Sequence, residues 1–171
     1  MRLPTLALIL LFALSLAQSW IAYPDMPDRM ASHFGAGGQA DGFSSKDTFF
    51  TLFTFLDAML VAMFLGLPLL VSKLPPSMVN LPNRDYWLAP ERREEAQRRI
   101  TGQMAWFGVA TMLFMILVKQ TVIAANAGAG ESGDASLGGL FGWGLAGYLV
   151  YTLVWIVGLY RTFRIPQEAP A

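Results

Sequence analysis

Four long apolar segments constrain how this 171-residue chain folds. They cover residues 3–23, 48–71, 102–125 and 137–160, with charges and helix-breaking residues at their limits. Each has about 20 residues or more, enough at about 1.5 Å per residue to cross a hydrocarbon core of about 30 Å. Because lipid offers backbone groups no partner, we expect each segment to be an α-helix. The predicted fold is an all-α membrane protein, a single domain of four transmembrane helices with a short external hairpin-like loop between helices one and two.

The composition agrees with a membrane environment and excludes several functions. Charged residues make up 14% of the chain, against about 25% in typical soluble domains. The zero net charge argues against a nucleic-acid partner, and the absence of Cys excludes disulfides and thiolate metal sites. The chain has no phosphate-binding loop, nucleophile elbow or helical His-Glu-x-x-His motif, so we predict neither an enzyme nor a bound cofactor.

The first segment has two interpretations. Arg2, the apolar run and the small residues around Ser15 and Ala17 resemble a secretory signal peptide with a cleavage site. The apolar stretch continues beyond Ala17, however, and Trp20 and Tyr23 lie where an interfacial aromatic belt is expected. We therefore expect this segment to be retained as a membrane helix.

The basic residues predict the orientation. Nine of the 12 Lys and Arg residues fall at the N-terminus, in the 72–101 loop and in the C-terminal tail. The 24–47 loop holds only Arg29 and Lys46, and the 126–136 loop holds none. The positive-inside rule then places both termini and the 72–101 loop in the cytoplasm, with the 24–47 loop outside.

The external loop carries the residues that we predict to form a binding surface. Residues 30–34 favour an extended strand, residues 35–38 a turn, and Ser44 to Asp47 a helix start resembling a capping box. A loop of this kind on a rigid scaffold is a common place for recognition. The candidate binding residues are Asp25, Asp28, His33, Phe34, Gly38, Asp41, Gly42 and Lys46.

This loop resembles that of a known bacterial family. The shared run is Pro24-Asp25-x-x-Asp28, His33-Phe34, Gly38-x-x-Asp41-Gly42 and Ser45-Lys46, and a second resembling run covers residues 80–93. Both resemble the SdpI-like membrane proteins, whose shared N-terminal domain has no known function and whose immunity protein protects cells against a secreted toxin. The resemblance implies a multi-pass protein of the bacterial cytoplasmic membrane with an immunity or signalling role. This chain departs from the pattern in having only four predicted spans, without the further helices of the immunity protein.

His33 is the only histidine, and three interpretations stay open for it. With nearby Asp residues it could ligate a divalent metal, although the spacing matches no recognised metal motif. It could also sense pH or a ligand, because an unperturbed imidazole titrates near neutrality. We favour a structural His that fixes the loop by hydrogen bonding.

Asp57 and Lys119 are the charged residues inside the predicted spans. Charged groups there are costly, so they usually pair, face the bundle interior or mark a pathway. Their distances from the outer helix ends, about 15 Å and 9 Å, permit an ion pair, which we predict. The alternatives are that Lys119 extends outward to the interface, or that the two residues line an ion path.

The 72–101 loop contains a second candidate motif. Residues 90–99 predict a short surface helix leading into the third span, whose mixed charges favour a solvated face over attraction to anionic lipid. We expect Tyr86, Trp87 and Leu88 to anchor the loop at the membrane interface, and a docking surface for a cytoplasmic partner is the alternative. The candidate residues are Asn80, Pro82, Asn83, Tyr86, Trp87, Glu91 and Arg92.

The fourth segment carries small residues at four-residue spacing: Gly138, Gly142 and Ala146. This spacing lets two helix backbones approach closely, within the chain or between two copies. We favour packing within the chain and keep a homo-oligomer through helix four as the alternative.

Three functions remain after these steps. The first is a non-enzymatic membrane protein whose external loop binds or senses a peptide toxin, another membrane protein or a small ligand. The second is a small transporter or accessory subunit that uses Asp57 and Lys119. The third, and least favoured, is a membrane enzyme with a metal at His33.

Overall fold

A computed structural model describes residues 3–129 and 135–166 of the chain. These residues include five α-helices, two short 3-10 helices (Tyr23–Asp25 and Pro76–Met78) and a two-stranded antiparallel sheet. In chain order the elements are α1 (Leu3–Ala22), β1 (Arg29–Phe34), β2 (Ala40–Ser45), α2 (Lys46–Val71), α3 (Arg84–Trp87), α4 (Arg93–Ala129) and α5 (Gly139–Thr162). The hairpin end of the bundle denotes residues 23–47 with 135–138, and the opposite end denotes residues 72–92 with 163–166.

Four of the helices, α1, α2, α4 and α5, are long and apolar enough to cross a membrane, which confirms the four predicted spans. The predicted third span, residues 102–125, lies within a longer helix, and the prediction of a separate surface helix before it was wrong. Residues 93–99 do not form a separate surface helix but are the first turns of α4, which has 37 residues. At about 1.5 Å per residue α4 is about 55 Å long, so its charged first turns extend beyond a hydrocarbon core of about 30 Å. The contact between Arg99 and Glu95, at 2.5 Å and one turn apart, supports this extension.

The two strands lie between α1 and α2 in sequence. Arg29 pairs with Ser45 and Phe34 with Ala40, with irregularities in register on both sides of His33. The turn closes through a 2.8 Å hydrogen bond from the amide of Gly38 to the carbonyl of Gly35. Gly38 has a φ of 77°, a left-handed conformation in which glycine is free of strain.

The sheet leads directly into α2. Ser45 caps the helix, because its side chain accepts a 3.1 Å hydrogen bond from the amide of Thr48. The sequence predicted the cap at Ser44, and the structure places it one residue later, at Ser45. The hydroxyl satisfies one of the free N–H groups that begin every α-helix.

The last helix, α5, packs on α4 through an aromatic stack. Phe107 of α4 lies against Trp155 with ring centroids 4.4 Å apart, and Phe114 lies against Tyr148 at 4.6 Å. Gly144 is the glycine of α5 that touches α4, where it contacts Leu117.

The prediction that the small-residue face of α5 packs within the chain was wrong for the described residues. A Cβ atom added to Gly138 or Gly142 would meet nothing within 4 Å. Ala146 is also exposed. The small-residue face of α5 therefore does not pack against the other described helices.

Candidate functional site

Asp57 of α2 and Lys119 of α4 form an ion pair inside the bundle. The Nζ atom of Lys119 lies 2.9 Å from Oδ2 of Asp57, and both side chains are completely buried. The structure therefore brings together the two charges that the sequence placed in neighbouring spans. Asp57 lies eleven residues after the start of α2 at Lys46, about 16 Å along the helix.

Two serines of α1 complete this buried polar cluster. Ser15 Oγ donates to Asp57 Oδ2 at 2.7 Å and accepts a hydrogen bond from Lys119 Nζ at 2.6 Å. Lys119 also donates to Ser19 Oγ at 3.0 Å and contacts the carbonyl of Ser15 at 3.1 Å. The cluster thus joins α1, α2 and α4 through charged hydrogen bonds, which are stronger than neutral ones.

The chemistry of this cluster is that of an enclosed, neutral unit. Its two charges cancel, and they are the charged residues of the predicted spans. One atom departs from full pairing: Asp57 Oδ1 is buried and has no hydrogen-bond partner among the described residues. An arrangement of this kind holds helices together, because separating the charges in lipid is costly.

The hairpin is fixed to the bundle by Asn126, near the end of α4. The side chain of Asn126 accepts a 2.7 Å hydrogen bond from the backbone amide of Ala31 and donates a 3.0 Å hydrogen bond to the backbone carbonyl of Ala31. Ala31 is in β1, so one amide side chain satisfies both backbone groups of a strand residue. Beneath it lies an apolar cluster contributed by the hairpin, α2 and α4: Met26, Met30, Phe49, Phe50, Val122 and Ile123.

A short segment before α5 continues the sheet. The amide of Ala40 donates to the carbonyl of Ala135 at 3.0 Å. The amide of Leu137 donates to the carbonyl of Gly38 at 2.9 Å. Gln39 and Ser136 form the bridge between these bonds. The hairpin is thereby tied to the chain that enters α5 as well as to α4.

The exposed surface of the hairpin carries three pairs of side chains. His33 Nδ1 lies 2.5 Å from Asp41 Oδ1, with side-chain exposures of 74% and 53%. Lys46 Nζ lies 2.9 Å from Asp28 Oδ1. The guanidinium of Arg29 lies 4.2 Å from the centre of the Phe43 ring.

The predicted loop residues therefore divide into several groups. His33 and Asp41 lie together, as do Asp28 and Lys46, whereas Asp25 is exposed and has no ion pair within residues 3–129 and 135–166. Phe34 packs against the apolar cluster under the hairpin. In the described part of the chain no three His, Asp or Glu side chains converge as they would around a metal ion.

Gly42 has a steric role beside His33. A Cβ atom at residue 42 would lie 2.8 Å from Cβ of His33, closer than real Cβ contacts allow. The absence of a side chain at Gly42 thus lets β1 and β2 approach at the register irregularity that presents His33.

At the opposite end of the bundle, two residues of the predicted 80–92 motif cap the C-terminus of α5. Asn83 Nδ2 and Trp87 Nε1 both donate to the carbonyl of Phe163 at 2.8 Å. Arg99 donates to the carbonyl of Thr162 at 2.6 Å and lies over the Trp87 ring at 4.4 Å. These donors satisfy carbonyls that have no partner within the helix.

The predicted interfacial role of Trp87 was wrong. Its exposure is 2%, and its ring packs with Val79, Leu88, Ala96 and Phe163 in a second apolar cluster. Arg92 lies over the ring of Tyr86 at 4.0 Å. Asn80 and Glu91 are exposed and Pro82 is half-buried, and none of the three is among the donors to the end of α5.

Three residues that matter in the structure were missing from the sequence prediction: Ser15, Ser19 and Asn126. Ser15 and Ser19 are four residues apart and so lie on one face of α1, a signal that points towards a polar neighbour in the bundle. Asn126 falls in the loop predicted at residues 126–136, because it borders the Gly- and Ala-rich stretch after the third span. The helix continues to Ala129 and carries it under the hairpin.

The fold and these contacts define a multi-pass membrane protein with a hairpin fixed at one end of its bundle. A family model described as a domain of unknown function, DUF1648, matches residues 10–56. The matched stretch contains the second half of α1, the hairpin and the first part of α2, less than half of the chain. Comparisons with curated proteins and with solved structures give no significant match.

Proposed function

We propose that this chain is a non-enzymatic protein of the SdpI-like type, in which the hairpin binds or senses a peptide or small ligand. The observation that carries the proposal is the double hydrogen bond between Asn126 and Ala31, which fixes β1 on α4. A rigidly held hairpin keeps its exposed groups in one arrangement, and that lowers the entropic cost of binding. His33 and Asp41 are the central pair of this surface.

The match to DUF1648 supports this assignment from the sequence side. It includes the whole hairpin, and so all the loop residues on which the resemblance to SdpI-like proteins rests. The basic residues at the opposite end support an orientation with the hairpin outside and both termini in the cytoplasm. In this proposal the membrane is a bacterial cytoplasmic membrane, and residues 80–93 are where a cytoplasmic partner would respond to a ligand bound outside.

A growth challenge tests the proposal. Sensitive bacteria expressing the wild-type protein, His33→Ala or Asp41→Ala are exposed to a panel of membrane-active peptide toxins. Ser32→Ala is the matched control, because Ser32 is also exposed on β1. We expect wild type and Ser32→Ala to protect against at least one peptide, and His33→Ala and Asp41→Ala to lose that protection at equal expression. Equal protection by all four proteins would contradict a role for the hairpin surface.

The second candidate is transport through the bundle, and the unpartnered Oδ1 atom of Asp57 favours it. A buried carboxylate oxygen of this kind could receive a proton or a polar substrate group during a transport cycle. The purified protein in vesicles carrying a pH-sensitive dye would show flux that disappears in Asp57→Asn. Equal flux for wild type, Asp57→Asn and empty vesicles would exclude proton transport and return the pair to a structural role.

A further inference from the structure

A cleft opens at the opposite end of the bundle, between the end of α2 and the first turns of α4. Its volume is about 500 Å³, within the range of roughly 300–1,000 Å³ typical of small-molecule sites. Its lining consists of Ser72, Pro90, Arg93, Glu94, Gln97 and Arg98. Two guanidinium groups and one carboxylate therefore stand where a candidate membrane span, Lys46–Val71, has just ended.

One side chain of α4 fixes the end of α2 beside the cleft. Arg93 Nη2 donates to the carbonyl of Ser72 at 3.1 Å and to the carbonyl of Leu74 at 2.8 Å. Lys73 lies between the two residues whose carbonyls bind Arg93, so its backbone is fixed at the edge of the cleft. The sequence predicted a solvated surface helix at residues 90–99, and the continuous α4 places Arg93 against the end of α2 instead.

The charges of the lining leave a positive excess. Glu94 lies 3.8 Å from Arg98 and offsets it, so Arg93 is the net charge of the lining. The charged residues next to the lining in sequence add one further positive charge: Lys73, Glu91, Arg92, Glu95 and Arg99. The excess holds for this whole end of the chain whichever charges are paired, because residues 72–101 and 161–166 hold eight Lys and Arg residues against four Asp and Glu residues.

Arg93 has donors left for an anion. Among the described residues it hydrogen-bonds through Nη2 alone, to two neutral carbonyls. Its Nε and Nη1 groups therefore keep their N–H donors, and a guanidinium matches the geometry of a phosphate. Arg98 adds a second guanidinium with an exposure of 58%, and its contact with Glu94 is that of a weak surface pair.

The last turn of α2 is apolar and exposed beside these charges. Leu69 and Leu70 have exposures of 64% and 59%. Ser72, which lines the cleft, donates its hydroxyl to the carbonyl of Leu69 at 2.7 Å. Because α2 is a candidate membrane span, lipid chains meet these leucines, and the border between hydrocarbon and polar groups passes beside the cleft.

We propose that this cleft binds the head group of an anionic phospholipid, with one acyl chain along the last turn of α2. The phosphate oxygens would accept hydrogen bonds from Arg93 and Arg98, and Lys73 would add a point charge. Basic pockets between membrane helices bind anionic head groups in this way. A zwitterionic lipid brings its own cation to the positive excess, and a soluble phosphate ester has no chain to lie on the leucines. The site is independent of the hairpin surface proposed above, because it lies at the other end of the bundle.

Lipid binding to the purified full-length protein in detergent micelles, measured by native mass spectrometry, tests the proposal. The probes are phosphatidylglycerol and phosphatidylcholine with the same acyl chains, each with and without glycerol phosphate as a soluble competitor. We expect phosphatidylglycerol to bind about twofold to fivefold more tightly than phosphatidylcholine, as for exposed ion pairs, and glycerol phosphate not to displace it. Equal binding of the two lipids, or displacement of phosphatidylglycerol by equimolar glycerol phosphate, would overturn the proposal.

Single-charge variants at exposed residues separate the cleft from the general charge of this end. Lys73→Gln should weaken phosphatidylglycerol binding about twofold to fivefold, and Glu94→Gln, which removes the negative charge of the lining, should strengthen it by a similar factor. Arg164→Gln is the matched control and should leave binding unchanged, because Arg164 is an exposed cation at the same end but outside the lining.

Two results would contradict the proposed site. Equal weakening in Lys73→Gln and Arg164→Gln would mean that the whole basic end attracts the lipid. Unchanged binding in both Lys73→Gln and Glu94→Gln would mean that the head group does not lie in the cleft.

Discussion

Lys119 Nζ lies 2.9 Å from Asp57 Oδ2, with both side chains completely buried between three membrane-spanning helices. Ser15 hydrogen-bonds to both members of the pair, so α1 is joined to the contact between α2 and α4. Removing one member of a buried pair leaves a charge without compensation, which is far worse than removing both. The pair therefore acts as one structural unit that joins three helices.

Breaking the pair from one side should destabilise the protein strongly. We expect Asp57→Asn or Lys119→Met alone to lower the free energy of unfolding by about 3–5 kcal/mol. The double variant Asp57→Asn/Lys119→Met should lose clearly less free energy of unfolding than the sum of the losses in the two single variants. Unfolding of the four proteins in mixed micelles with increasing denaturing detergent measures these differences. If Lys119→Met has the same effect with and without Asp57, the two residues do not interact energetically.

The two serines of α1 should differ in importance. Ser15 Oγ contacts both charges, whereas Ser19 Oγ contacts Lys119 alone and donates to the carbonyl of Ser15. We expect Ser15→Ala to lower the free energy of unfolding by about 1.5–3 kcal/mol, since hydrogen bonds to charged groups exceed neutral ones. The loss in Ser19→Ala should be smaller in the same micelle assay. A larger loss in Ser19→Ala than in Ser15→Ala would show that the hydroxyl of Ser15 is not the link between the charges.

The hairpin should tolerate a methyl group at its tip and not beside His33. A Cβ atom at Gly37 meets nothing within 4 Å, whereas one at Gly42 meets Cβ of His33 at 2.8 Å. We expect Gly42→Ala to open the hairpin locally and raise hydrogen exchange at least tenfold in β1, which corresponds to about 1.4 kcal/mol of opening free energy. Gly37→Ala should leave exchange unchanged within a factor of two. Equal exchange in both variants would mean that the strands adjust without cost.

Much of the fold followed from the sequence because one physical constraint acts on every span. Hydrocarbon fixes the length and the backbone hydrogen bonding of each segment, so the four helices were predictable from apolar run length alone. The same constraint pointed to Asp57 and Lys119, because charged side chains inside a membrane span have no water around them and need a partner. The sequence did not pair Ser15 with these charges, because hydroxyls in an apolar run are common and the four-residue spacing of Ser15 and Ser19 is a weak signal.

The errors came from contacts that local sequence does not encode. Trp87 has the amphipathic character of an interfacial residue, yet the carbonyl of Phe163 provides a buried partner for its N–H group from a helix 76 residues away. Gly142 has the spacing of a packing residue, but the aromatic stack of Phe107 with Trp155 sets which face of α5 meets α4. Such pairings depend on the tertiary arrangement, which a single sequence leaves open.

In the proposed orientation the hairpin lies on the outer side of the membrane, where it can meet a ligand. The chain contains no Cys, so single cysteines can be introduced without background labelling. Gly37→Cys reports the hairpin tip and Ser77→Cys the opposite end, both at exposed residues. With a membrane-impermeant maleimide, we expect labelling of Gly37→Cys in intact cells and of Ser77→Cys only after permeabilisation. Labelling of Ser77→Cys but not Gly37→Cys in intact cells would contradict the account.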